Sequence, residues 1–115
     1  MKKLLLLLLI LGSVACNDSS VETERSSEEF SITTADTLSF LLSRTIPIEG
    51  GYSVAQQAKN YSVSEIQHRE GGIFYIYVPE PGFTGTEQVK IKREDSNGAE
   101  VFSETITNVT IKVSE

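Results

Sequence analysis

Cys16 and His68 are the only cysteine and the only histidine in 115 residues. Nucleophilic or near-neutral acid–base chemistry therefore has few places to start. A thiol can be alkylated or acylated through its thiolate, and Cys16 closes a run of small residues, Gly12-Ser13-Val14-Ala15. His68 stands in Gln67-His68-Arg69-Glu70, a polar stretch beside Gly71-Gly72. A solvated imidazole is the simpler reading there. With no second histidine and no other cysteine, a zinc donor set cannot be completed. Among the carboxylates, Glu80 and Glu87 flank a loop, but a glycosidase pair needs a defined separation within a cleft. Glu94, Asp95 and Asn97 offer the oxygens that calcium takes, as a thin candidate only. No glycine-rich phosphate cradle precedes a helix, because no helix is evident.

The elements that would position these residues divide the chain into three parts. Lys2 and Lys3 precede an apolar run from Leu4 to Leu11. Crossing a bilayer takes about 20 apolar residues, so this shorter run with a polar segment after it reads as a cleaved export signal over 1–15. Two outcomes share that cut after Ala15. Either Cys16 is lipidated, or Ser13 and Ala15 form the small-x-small site of plain secretion. A lone cysteine would be an unpaired thiol in an oxidising compartment, and lipidation would account for it.

Residues 16–29 read as the lipidated cysteine followed by a flexible acidic linker. Asp18, Glu22, Glu24, Glu28, Glu29 and four serines surround a single apolar residue, Val21. Such a segment buries too little to offset its ordering entropy. Without Lys2 and Lys3, eight basic side chains face sixteen acidic ones. That balance excludes nucleic acid and anionic lipid as partners of the domain's own surface.

Residues 30–115 read as one small all-β domain. Ser, Thr, Val, Ile and Tyr dominate, and no stretch sustains a 3.6-residue apolar period. Seven strands are predicted: Phe30–Thr34, Thr37–Ser43, Gly51–Gln57, Tyr61–Arg69, Gly72–Val78, Thr86–Glu94 and Ala99–Val113. Gly50-Gly51, Lys59-Asn60, Gly71-Gly72, Pro79 to Gly85 and Ser96-Asn97-Gly98 separate them, the last a strong hairpin signal. In Val89-Lys90-Ile91-Lys92 the apolar residues point inward and the lysines outward. In the last strand Phe102 and Ile106 share one phase and Val109, Ile111 and Val113 the other, which predicts a bulge or break near Thr107-Asn108. Phe74, Ile76 and Val78 make the fifth strand apolar on both faces, so they form a candidate partner face.

Two family resemblances accompany these readings. Ser13-Val14-Ala15-Cys16 resembles the lipobox of bacterial lipoproteins, although Ser13 replaces the family's usual leucine. It implies that the Cys16 thiol becomes a thioether to diacylglycerol and that the new amino group is acylated, palmitate being a typical chain. Tyr75-x-Tyr77-x-Pro79, Pro81-Gly82-Phe83-x-Gly85-Thr86-Glu87, the Ser96-Asn97-Gly98 turn and Val109-x-Ile111-x-Val113 resemble the immunoglobulin-like and cadherin-like modules of bacterial surface proteins. That resemblance covers about the C-terminal half of the domain and implies an antiparallel β-sandwich.

Together they imply a lipid-anchored protein of the bacterial cell envelope, in the outer membrane or at the cell surface. Its sandwich would act as a non-catalytic binding or adhesion module, without cofactor, for a protein or glycan partner. A structural or accessory envelope subunit without its own ligand is the alternative, and a small enzyme or inhibitor ranks last.

Overall fold

The computed structural model describes residues 22–45, 51–97 and 99–115. Seven strands follow in order: β1 (Glu22–Thr33), β2 (Leu38–Ser43), β3 (Gly51–Gln56), β4 (Tyr61–Arg69), β5 (Gly72–Pro79), β6 (Gly85–Ser96) and β7 (Val101–Ser114). One sheet has the order β1-β7-β6-β3 and the other β2-β5-β4. With the strands lettered A to G, these are A-G-F-C and B-E-D. The C-F-G and B-E-D groupings are those of an immunoglobulin-like sandwich. All pairings are antiparallel except β1 with β7, which is parallel.

The core follows from alternation. Tyr75 and Tyr77 point inward from β5 and are fully buried, packing in one cluster with Val89 and Ile91 of β6 and Val109, Ile111 and Val113 of β7. Burying each such side chain contributes roughly 1.5–3 kcal/mol. The β5–β6 connection crosses between the sheets. Pro79 ends β5, having no N–H to give to a ladder. Gly82 then turns the chain with φ +87°, and Phe83 packs against the core cluster.

Two expectations need correction. The linker does not extend to Glu29, because β1 begins at Glu22. Its first eight residues are exposed and are held by the parallel ladder with Ser103 to Thr110. Side-chain bonds reinforce it: Thr23 donates to Glu104 at 3.1 Å, and the hydroxyls of Ser26 and Thr107 lie 2.9 Å apart. Residues 22–29 of β1 bury nothing and carry no apolar signal, and so they read as linker.

The second correction concerns β7, which has no bulge at Thr107-Asn108. It pairs with β6 without a slip from Ser103 to Val113. Ile106 therefore lies on the outer face, between Arg25 of β1 and Lys92 of β6. It is nonetheless only 8% exposed, as expected where long aliphatic stems flank an apolar residue. Thr105 and Thr107 take the inward positions instead. The export signal, Cys16, the linker up to residue 21, Gly98 and the side chain of Phe102 lie outside the described residues.

Candidate functional site

The inward row of β6 reads Glu87, Val89, Ile91, Arg93, Asp95. Its apolar centre fills the core, and its charged ends mark two different environments. At one end Glu87 is 2% exposed. Its Oε1 accepts the Lys59 backbone N–H at 3.0 Å, and its Oε2 accepts the Asn60 N–H at 2.6 Å and the Tyr77 hydroxyl at 3.0 Å. A carboxylate taken out of water needs such donors. Here the two N–H donors belong to the chain crossing from β3 to β4 and the hydroxyl to β5, so Glu87 fastens that crossing to the core. Glu80, once a conceivable partner for it, is exposed and is not among its hydrogen-bond partners.

Tyr75 and Tyr77 share this polar seam. The Tyr75 hydroxyl lies 2.6 Å from Ser64 Oγ, which in turn donates to Gln57 Oε1. Burial pushes the Tyr75 phenol up to about 12. Burial, followed by its bond to Glu87, also raises the Tyr77 phenol far above its ordinary value.

At the other end of β6 the sheets enclose an open cleft of about 180 Å³. Phe40 and Leu42 of β2, Tyr52 of β3 and Ile91 of β6 supply its apolar lining. Ser26 and Glu28 of β1, Arg93, and Thr105 and Thr107 of β7 supply polar groups. The Arg93 guanidinium lies over the Tyr52 ring at 5.8 Å and donates from Nε to Asp95 at 3.2 Å. The Tyr52 hydroxyl reaches across the sandwich to the Leu42 carbonyl at 3.3 Å. The sequence held a signal for this cleft: Arg93 falls in the same phase as Val89 and Ile91. Tyr52, Thr105 and Glu28 carried none, since their convergence depends on how the sheets pack.

Phe74, Ile76 and Val78 all lie on the outer face of the β2-β5-β4 sheet. Phe74 and Val78 are half-buried, whereas Ile76 is 3% exposed. Ser39 and Glu65 stand directly opposite Ile76. Along β4, Gln67 donates to Glu65 at 2.6 Å and Arg69 to Gln67 at 2.7 Å, a polar border beside the apolar row.

The calcium candidates do not converge. Glu94 and Asp95 are neighbours in a strand and face opposite sides. Glu94 pairs with Lys92 at 3.1 Å, and Asp95 with Arg93. Asn97 Oδ1 accepts the Ala99 and Glu100 N–H groups of the β6–β7 turn. Among the described residues no three His, Cys, Asp or Glu side chains group as metal ligands. His68 is exposed near the end of β4.

No protein family matches the sequence, and no curated protein does. Among solved structures, a 2,6-sialyltransferase of Vibrionaceae Photobacterium sp. JT-ISH-224, in a ternary complex with CMP and lactose, aligns with 84% of this chain. The identity is 14%, the TM-score 0.48, and the alignment takes in 19% of that protein. The chain spans only a minor part of its length.

Among the described residues no helix is long and apolar enough to cross a membrane.

Proposed function

We propose that this protein is a lipid-anchored lipoprotein of the bacterial cell envelope, whose sandwich is a non-catalytic binding module for a protein or glycan partner. The observation that carries the reading is the run Met1 to Cys16, with its lysines, apolar core, small residues and lone cysteine in order. Two or three acyl chains on Cys16 would make attachment far firmer than one chain allows.

The start of β1 refines this picture. Glu22 already belongs to the sheet, so the chain from Cys16 to the domain reaches at most about 20 Å. The sandwich would stand close to its membrane, with the Glu22 end of β1 nearest to it. Glu22 pairs with Ser103, which puts the β6–β7 turn at that same end. The loop carrying Phe83 then lies at the far end, and the outer row of Phe74 and Val78 runs along the side.

Metabolic labelling with a fatty acid tests the anchor. Wild type should be labelled and fractionate with membranes, and Cys16→Ala should be neither. Unlabelled wild type in the soluble fraction would exclude the lipoprotein reading and leave plain secretion.

A further inference from the structure

We propose that the cleft between Tyr52, Arg93 and Thr105 is a subsite for one neutral sugar ring; this rests on the binding-module reading and names its ligand class. The cleft is amphipathic in a particular way. Phe40, Leu42 and Ile91 offer an apolar surface, while Arg93, Thr105 and Glu28 offer a cationic donor, a hydroxyl and an anionic acceptor. An anionic ligand would meet Glu28 and the Asp95 carboxylate beside Arg93, and a cationic one would meet the guanidinium nitrogens that Asp95 leaves free. A wholly apolar ligand would bury the hydroxyl and the charges without partners, at a cost in desolvation. A neutral polyol avoids all three penalties. Its hydroxyls donate to Glu28 and accept from Arg93, and the C–H face of its ring covers the apolar side chains.

Size points the same way. About 180 Å³ falls below the roughly 300–1,000 Å³ of drug-sized sites. It suits a single ring and not an enclosed oligosaccharide.

The walls are fixed in advance, which lowers the ordering cost of binding. Phe40 is braced by Phe30, their ring centroids 5.0 Å apart. Tyr52 is held through its hydroxyl on Leu42. Asp95 anchors Arg93 through Nε and is itself anchored by the Ser103 hydroxyl at 2.8 Å. The other guanidinium nitrogens remain to meet a ligand. Among the described residues the side chains of Glu28 and Thr105 have no hydrogen-bond partner, so both remain available as well.

The test is a titration of the full ¹⁵N-labelled chain, in a detergent without sugar, followed by amide chemical shifts. The probes are methyl β-glucopyranoside, methyl β-galactopyranoside and N-acetylglucosamine at millimolar concentrations, with glucuronate and glucosamine as charged counterparts. At least one neutral probe should give saturable shifts at Tyr52, Arg93 and Thr105. Thr105→Val and Glu28→Gln should each weaken that binding by about tenfold, the worth of one hydrogen bond to a charged or well-placed group. No saturable shift from any neutral probe would overturn the proposal, as would equal or tighter binding of a charged counterpart. Unchanged affinity in both variants would overturn it too. Fatty-acid labelling of Cys16 is independent of all these outcomes, so failure of the subsite and failure of the anchored reading are told apart.

Discussion

The Tyr77 hydroxyl lies 3.0 Å from Glu87 Oε2 and 2.9 Å from the Asn60 carbonyl oxygen. One proton is thus shared between a buried carboxylate and the backbone of the β3–β4 crossing. Glu87 also holds the Lys59 and Asn60 N–H groups, so it joins β6, β5 and a crossover at one point. Removing it would leave the Lys59 and Asn60 N–H groups unmet, while the Tyr77 hydroxyl would keep only the Asn60 carbonyl. Glu87→Ala should destabilise the domain by about 3–5 kcal/mol. Tyr77→Phe, which removes one donor and keeps the ring, should cost about 1–2 kcal/mol. Urea unfolding of both single variants and the double variant measures this. The double should fall short of the sum by more than about 0.5 kcal/mol, because the two groups contact one another.

Alkaline pH should unfold the protein from this same seam. The Tyr75 phenol is raised to about 12 by burial, against about 10 in an unfolded chain. Its protonated form is favoured by folding. The stability tied to it is complete below about pH 10 and is lost as pH rises to about 12, roughly 2–3 kcal/mol across that window. Tyr77 is shifted in the same direction and adds to the loss. Tyrosinate absorbance and β-sheet circular dichroism, followed together, should show part of the phenolate signal appearing only as the sheet signal disappears. Tyr75→Phe should reduce that late amplitude. A titration complete before any loss of sheet would contradict it.

Gly72 illustrates a constraint beyond backbone freedom. Gly71 and Gly72 both have positive φ, +99° and +143°. A Cβ at Gly71 would meet nothing within 4 Å, whereas one at Gly72 would run into the Ser43 carbonyl oxygen and crowd the backbone of Arg44. Gly71→Ala should cost about 1–2 kcal/mol, the strain of left-handed backbone. Gly72→Ala should cost clearly more, since the β2 end must move away from β5. Thermal unfolding of the two variants under one set of conditions gives the comparison.

Much of this architecture was legible because apolar alternation and turn residues agreed. Val89, Ile91, Val109 and Ile111 reach the core as their phase requires, and the Pro79–Gly85 crossing forms around Phe83 as its residues suggest. The misreadings came where packing overrode local pattern. Ile106 looked like a phase error, yet Arg25 and Lys92 flank it on an outer face. The polar residues of β1 looked like solvated spacer, yet their backbone completes a ladder with β7. The charged ends of the β6 row were visible as inward-phase positions. What they face was not visible, because Asn60 and Tyr52 come from other strands and from a crossover.

The polar first half of β1 should open faster than its second half. Residues 22–29 contribute backbone ladder and exposed side chains, whereas Phe30 and Ile32 pack on the core. Protection against hydrogen exchange follows buried contacts. Amides that β1 gives to the ladder should therefore exchange much faster over 22–29 than over 30–33. Phe30→Ala should loosen the whole strand, and substitutions at Glu24 should leave the global stability within about 0.5 kcal/mol. Uniform protection along β1 would mean that its first half is held by more than the ladder.

The outer row of β5 yields a prediction that separates stability from surface. Ile76 keeps only 3% of its surface, while Phe74 and Val78, on the same face, are half-buried. Ile76→Ser removes a buried apolar side chain and should cost about 2–4 kcal/mol. Val78→Thr keeps the β-branched shape and should cost about 1 kcal/mol or less. The isosteric change is thus the proper probe of a partner on this face. If a captured envelope partner is lost with Val78→Thr while the unfolding midpoint scarcely moves, the face makes contact. If capture is lost only with Ile76→Ser, in step with unfolding, the row serves the fold and the partner binds elsewhere.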